Sequence, residues 1–169
     1  MGFAALNPSY SDSRAPMPKQ SAGILMYRID RGSPSVLLVH PGGPFWAKKD
    51  LGAWSVPKGE YGAGEDPLAV AIREFEEETG VRLTGDFRTL GEIRQAGGKR
   101  VAAWAIEGDL DPAAIRSNVF EIEWPPKSGH KQSFPEIDRA DWFALDVARE
   151  KINPSQRELI DRLVRMLEQ

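Results

Sequence analysis

Apolar and polar positions change period several times along this chain, and each change marks an element. Ala22 to Arg28 and Val36 to His40 are short, largely apolar runs separated by Asp30-Arg31-Gly32-Ser33-Pro34. Such runs around a cluster of turn residues predict the two strands of a hairpin near the centre of a sheet. His40 closes the second run and reads as a strand-end residue rather than a ligand, because a lone histidine has no partner pattern. Phe87 to Gln95 and Lys99 to Glu107 predict two further strands, joined at Ala96-Gly97-Gly98. Asp109 to Ser117 reads as a short helical or irregular connection. Val119 to Trp124 alternates apolar with acidic residues, as a half-buried strand does, with Glu121 and Glu123 toward solvent. Pro125-Pro126 ends that strand, and Lys127 to Phe134 predicts a polar loop. Asp141 to Leu145 predicts another short strand. From Pro154, the spacing of Leu159, Ile160, Leu163, Val164 and Leu167 predicts an amphipathic terminal helix.

Between the two pairs of strands lies Gly59 to Val81, a glycine-rich loop followed by one helix. Asp66 is a good N-cap, Pro67 fits the first helical position, and Gly80 supplies a left-handed stop, so the helix is predicted from Pro67 to Thr79. Leu68, Ala71, Ile72, Phe75 and Thr79 recur at three- and four-residue steps and form the buried stripe. At ~100° per residue, Glu74, Glu77 and Glu78 share one patch on roughly the other side. Like charges four residues apart destabilise a helix by a few tenths of a kcal/mol, and glutamates near its C-terminal end oppose the dipole. A positive group is therefore expected. Arg73, one turn before Glu77, can hold that carboxylate, but one guanidinium does not neutralise three carboxylates. Mg²⁺ binds a few carboxylates and leaves waters or phosphates in its other positions, whereas the plain alternative is a solvated acidic face.

The order of elements, strands then helix then strands then helix, suits an α/β protein with a mixed sheet flanked by helices on both faces. The 169 residues, 41% hydrophobic and 28% charged, suffice for one domain with a substantial core. Met1 to Lys19, rich in serine, proline and small residues, predicts a flexible leader (1–19) ahead of a single domain at 20–169. A net charge of −3 offers no concentrated basic surface, so no stable nucleic-acid partner is expected, while a small phosphorylated substrate remains compatible. With no cysteine there is no disulfide framework and no Cys-based zinc site. No apolar run approaches a membrane span and no signal peptide is evident, so no membrane partner and a cytoplasmic location are expected.

Pro41 to Gly52 is a loop holding Phe45, Trp46, Lys48 and Lys49. Paired aromatics and lysines can stack on a nucleobase and attract phosphate, or cover an edge of the core; the structural role is slightly favoured, with Trp46 kept as a substrate-contact candidate. Lys58, just ahead of Gly59, is a candidate to reach a phosphate. Lys127, His130 and Lys131 make a possible basic lip, from which Lys131 is a candidate substrate contact.

Gly59, Glu65, Arg73, Glu74, Phe75, Glu77, Glu78, Gly80 and Val81 fill every specified position of a pattern that resembles the Nudix box, the signature of the Nudix hydrolase family. The resemblance implies an α/β/α sandwich. It also implies cleavage of a nucleoside diphosphate linked to another moiety, by water attack at phosphorus with Mg²⁺, for which Mn²⁺ can substitute. Divalent ions offset the charge of a polyphosphate and activate water. Carried over by resemblance, Glu74 and Glu78 are metal ligands, Glu77 is a further ligand or a water-positioning base, and Arg73 orients the carboxylates. Gly59 contributes a backbone carbonyl to the metal and needs glycine's conformational freedom. Glu65 braces the loop. Family members often recruit another carboxylate from outside the box; Glu136 is the choice here and Glu107 the reserve. Pro135-Glu136-Ile137-Asp138-Arg139-Ala140-Asp141-Trp142-Phe143 and the terminal helix are similar to the C-terminal part of diadenosine polyphosphate hydrolases. That similarity points to a dinucleoside polyphosphate or a nucleoside triphosphate. The tyrosine found in many of those enzymes beyond the box is replaced by Ala96, Gly97 and Gly98, and the proline of ADP-ribose hydrolases is absent there too. A small-molecule nucleotide or polyphosphate is thus the expected partner, with the chain a monomer or homodimer. The alternative is a nucleotide-binding sensor module that kept the fold without turnover, for which a degraded box would be the mark.

Overall fold

In the computed structural model, which describes residues 19–169, the two apolar runs form β1 (Gln20–Asp30) and β2 (Ser33–Pro41). Arg31 and Gly32 between them both have positive φ, 54° and 81°, the geometry of a two-residue hairpin turn that follows the strands' own twist. Residues 1–18, nearly all of the expected leader, lie outside the described residues. Lys19 is described, and its carbonyl accepts the Arg100 N–H at 2.9 Å.

The remaining strands are β3 (Lys58–Glu60), β4 (Arg88–Arg94), β5 (Arg100–Glu107), β6 (Val119–Glu123), β7 (Lys131–Pro135) and β8 (Ile137–Ala144). The main sheet runs β4-β5-β1-β2-β8, with β3 also beside β1. β1 and β5 are parallel and the other pairs antiparallel, so the sheet is mixed. β6 and β7 form a separate two-stranded ribbon.

The α-helices among the described residues are α1 (Pro67–Thr79), α2 (Leu145–Lys151) and α3 (Arg157–Leu167). Ala22, Ile24 and Met26 of β1 and Leu37 and Val39 of β2 pack with Val70, Ala71 and Phe75 of α1. The alternate residues, Leu25, Tyr27, Val36 and Leu38, pack with Ala148 of α2 and Leu159, Ile160 and Leu163 of α3. The central strands therefore bury both faces, which is why they read as continuous apolar runs. The result is the expected α/β/α arrangement. Among the described residues no helix is long and apolar enough to cross a membrane.

Three expectations change. Lys127 to Phe134 is not a loop throughout, because Lys131 to Phe134 belong to β7, whose polar residues pair with β6 in a ribbon needing little burial. β8 begins at Ile137, four residues earlier than its apolar stretch, and Leu145 opens α2 instead of ending a strand. Glu78 also lies inward, at 8% exposure, instead of sharing an outer face with Glu77.

Candidate active site

Local signals set α1. Asp66 accepts the Ala69 N–H at 3.1 Å, and Gly80 at φ 84° donates to the Glu76 carbonyl at 2.7 Å. Two further C-terminal carbonyls find partners in the chain after a single 3-10 turn at Pro112–Ala114: the Arg116 N–H bonds Thr79 and the Asn118 N–H bonds Glu77, at 2.8 and 2.9 Å. Arg73 lies among three carboxylates, 3.6 Å from Glu65, 3.6 Å from Glu74 and 3.7 Å from Glu77. Glu65 in turn accepts the Gly62 N–H at 2.8 Å, within the loop before the helix.

Gly59 sits beneath the Glu74 carboxyl, and a Cβ built there would collide with the carboxyl carbon. Its φ is not in the left-handed region. The site needs glycine here for close approach, not for conformational freedom, which corrects the sequence expectation.

The acidic groups are held against their charged forms. Burial raises the Glu78 carboxyl to about 8, helped by the negative charge of Glu74 and opposed by the Lys58 ammonium and backbone N–H. Glu74 is raised by burial and then by Glu77, with Arg73 pulling the other way. Burial and then Glu77 also raise Glu136. Lys58 is lowered by burial and then by Lys99, and raised by Glu78 and Glu60. A patch of carboxylates that resists ionising is a patch short of positive charge.

Glu136 stands at the junction of β7 and β8. Its N–H bonds the carbonyl of Asn118, whose own N–H bonds Glu77, so two backbone hydrogen bonds link Glu136 to the last turn of α1. Its carbonyl accepts from Gly42, tying the same junction to the Phe45-Trp46 loop. Glu107, by contrast, pairs with Tyr27 at the far end of β5, about five residue steps or about 17 Å along the strand from Ala102, which shares a row with Ala22 and Gly59. It is remote from the carboxylates.

A pocket of about 300 Å³ opens beside Glu78, lined by Trp46, Ser55, Lys58, Gln95, Lys99, Asn153 and Gln156 among others. The loop that brings Trp46 here is anchored by buried His40, whose Nε2 donates to the Lys49 carbonyl at 2.6 Å and whose Nδ1 is hydrogen-bonded to Asp138 at 2.9 Å. Trp46 is 39% exposed under the Lys49 ammonium, and Phe45, 62% exposed, meets Trp124 of the ribbon edge-on. Neither is cover for the core. Lys131 does not line the pocket; it is exposed on β7 opposite Glu123, four pairs from the ribbon's base. Gln95, Lys99, Asn153 and Gln156 were not candidates from sequence, since single polar residues after a turn or at a helix start carry no distinguishing pattern. The double glycine before Lys99 was the one available signal.

The family model of the NUDIX domain matches residues 17–163. This chain belongs to the Nudix family. An RNA pyrophosphohydrolase of Rhizobium meliloti (strain 1021) is 29% identical over 126 residues, 66% of this chain and 70% of that protein. Among solved structures, a binary complex of C. elegans Ap4A hydrolase is similar with a TM-score of 0.61 at 22% identity, covering 89% of this chain and 98% of that one. The NUDIX domain of Shewanella oneidensis NrtR, complexed with ADP ribose, gives a TM-score of 0.63 at 17% identity, covering 96% and 94%. At these identities the structures speak for the fold.

The donor set of this Nudix site suits a hard divalent cation. Among the described residues no three acidic or histidine side chains already converge as a closed cage. Mg²⁺ does not ask for one, because it is held by one or two carboxylates with waters or phosphates completing its shell. Glu74 and Glu78, both raised by burial, Glu74 further by Glu77 and Glu78 further by Glu74, are a pair that such an ion relieves.

Proposed function

We propose that this chain is a metal-dependent pyrophosphohydrolase that cleaves a phosphoanhydride bond of a nucleoside diphosphate-linked compound, with a dinucleoside polyphosphate or a nucleoside triphosphate as substrate. The observation that carries the reading is a run of neighbouring carboxyls, Glu74 over Gly59, Glu74 and Glu77 beside Arg73, and Glu78 and Glu136 within reach of their charges, with Glu74, Glu78 and Glu136 raised. Mg²⁺, or Mn²⁺ in its place, would be held by Glu74 and Glu78, with Glu77 and the Gly59 carbonyl as further ligands, and would supply charge neutralisation and a more acidic water.

The protein's own groups do the rest. Arg73 holds Glu74 and Glu77 in place. Glu136, with Glu77 as the nearer alternative on α1, takes the proton of the attacking water. The water oxygen bonds to phosphorus while the bridging P–O bond breaks, its electron pair leaving on the departing phosphate. Lys58 offsets charge on the phosphate chain and Trp46 offers a face to a base. Relatives named as RNA pyrophosphohydrolases and Ap4A hydrolases support a pyrophosphate bond as the target.

Product analysis with Mg²⁺ over diadenosine tetraphosphate, nucleoside triphosphates, ADP-ribose and a short 5′-triphosphorylated RNA tests this. One preferred substrate is expected, with turnover reduced on the order of 10²-fold or more in Glu78→Gln. Full activity in that variant, or tight binding without any cleavage, overturns the hydrolase reading.

A further inference from the structure

Gln156, at the start of α3, is 1% exposed, and its amide is fully used. Its Oε1 accepts from the Val56 N–H at 3.1 Å and faces the Ser55 hydroxyl at 3.3 Å. Its Nε2 donates to Ser55 Oγ at 3.1 Å and to Gln95 Oε1 at 3.2 Å. The Ser55 hydroxyl spends its one proton on the Val56 carbonyl at 2.7 Å. Because a backbone N–H must meet an oxygen, Val56 fixes which end of Gln156 is which; Gln156 then fixes Gln95. The Gln95 carbonyl oxygen is turned to the buried amide. Its nitrogen, with two donors and no partner among the described residues, is left on a side chain that lines the pocket.

The turn that carries Gln95 is rigidly specified. Gly97 and Gly98 have φ of 83° and 87°, and the Gln95 N–H bonds the Lys99 carbonyl at 2.6 Å, which sets Gln95 and Lys99 side by side at the pocket. Neither Lys99 nor Lys58 joins any ion pair found among the described residues. Asn153 repeats the arrangement of Gln95, since its Oδ1 is taken by the Ser155 N–H and hydroxyl, leaving its nitrogen. Away from Glu78 the pocket thus offers donors and positive charge while its amide acceptors are consumed. A nucleobase edge needs both donors and acceptors. A phosphoryl group is all acceptor and anionic.

We propose that Gln95, Lys99 and Lys58 form a subsite for a phosphoryl group of the substrate other than the one attacked, and that Gln156 is its positioning residue, acting only through the orientation it imposes on the Gln95 amide. The role in catalysis rests on the hydrolase reading; the binding does not, so the two fail separately.

The test is titration of the full chain with inorganic tripolyphosphate, without divalent metal, followed by calorimetry or tryptophan fluorescence. Gln95→Met removes the donor and Lys99→Gln removes the charge; each is expected to weaken binding about ten-fold, as loss of a charge-assisted hydrogen bond does. Gln156→Glu keeps the acceptor for Val56 but lets the Gln95 amide turn over to donate inward, and should weaken binding similarly. The double variant Gln95→Met/Gln156→Glu is expected to bind no worse than Gln95→Met alone, because both act through one amide. Where a substrate is turned over, KM rises far more than kcat falls. No saturable binding by the unaltered protein, unchanged binding in Gln95→Met and Lys99→Gln, or multiplying effects in the double variant each overturn the proposal. If Gln156→Glu does not fold, the two variants on the turn decide the subsite.

Discussion

Glu78 and Gly59 show how much of the site is a matter of single atoms. Glu78 lies at a helical position that the wheel places outward, yet burial, with the charge of Glu74 and against the pull of Lys58, holds its proton up to about 8 in the folded state, whereas the unfolded chain releases it near the ordinary 4.5. Between these values the folded form binds the extra proton, so the contribution of this group to stability is complete at the lower pH and is lost as pH rises through about 8. In metal-free protein the loss amounts to on the order of a few kcal/mol, at about 1.4 kcal/mol per pH unit. Denaturant titrations from pH 5 to 8.5 should therefore show the wild type losing stability relative to Glu78→Gln, which carries no titrating group there. Parallel curves for the two proteins would mean that Glu78 is charged and satisfied throughout, contrary to its buried setting.

At the scale of elements, the ribbon and the Phe45-Trp46 loop behave as one support. Phe120 stacks near Phe134 and fills the space beside Gly43, where a Cβ would meet its ring, while Phe45 meets Trp124 with centroids 5.3 Å apart. Trp124→Ala removes an edge contact of about 0.5–1.5 kcal/mol. Steady-state kinetics should then show KM for a nucleotide substrate raised by roughly three- to ten-fold as the loop carrying Trp46 loses its tie through Phe45, with little change in melting temperature. An unchanged KM would free the ribbon from any part in the pocket. The same elements mark where sequence legibility ends. α1 was readable to the residue because Asp66, Pro67 and Gly80 act within a turn of where they stand. β7 and α2 were not, since Lys131 to Pro135 become a strand only by pairing with β6, and Leu145 to Lys151 are too short for helical periodicity to show. Glu136 could be chosen from a resemblance, but its tie to Glu77 through Asn118 is a tertiary contact with no local signature.

For the whole molecule, the carboxylate gathering is a cost that folding sustains in the absence of a cation. Burial raises Glu74, Glu78 and Glu136, and neighbouring carboxylates add to it, Glu77 acting on Glu74 and Glu136, and Glu74 and Glu136 acting on Glu78, so an ion bound there should stabilise the fold itself, not only the chemistry. A ligand that binds the folded state alone adds RT ln(1 + [L]/Kd), about 2.7 kcal/mol at a hundred times Kd. For a chain of 169 residues that corresponds to a rise in melting temperature of roughly 5–10 °C. Adding MgCl₂ to metal-stripped protein should produce this rise and a chelator should reverse it, while NaCl at equal ionic strength should do neither, because screening does not substitute for direct ligation of buried carboxylates. The double variant Glu74→Gln/Glu78→Gln should melt higher than the wild type without metal and ignore Mg²⁺ altogether. A wild type indifferent to Mg²⁺, or a double variant that responds equally, would place the ion elsewhere and remove the physical reason for setting Glu74 and Glu78 one turn apart on α1.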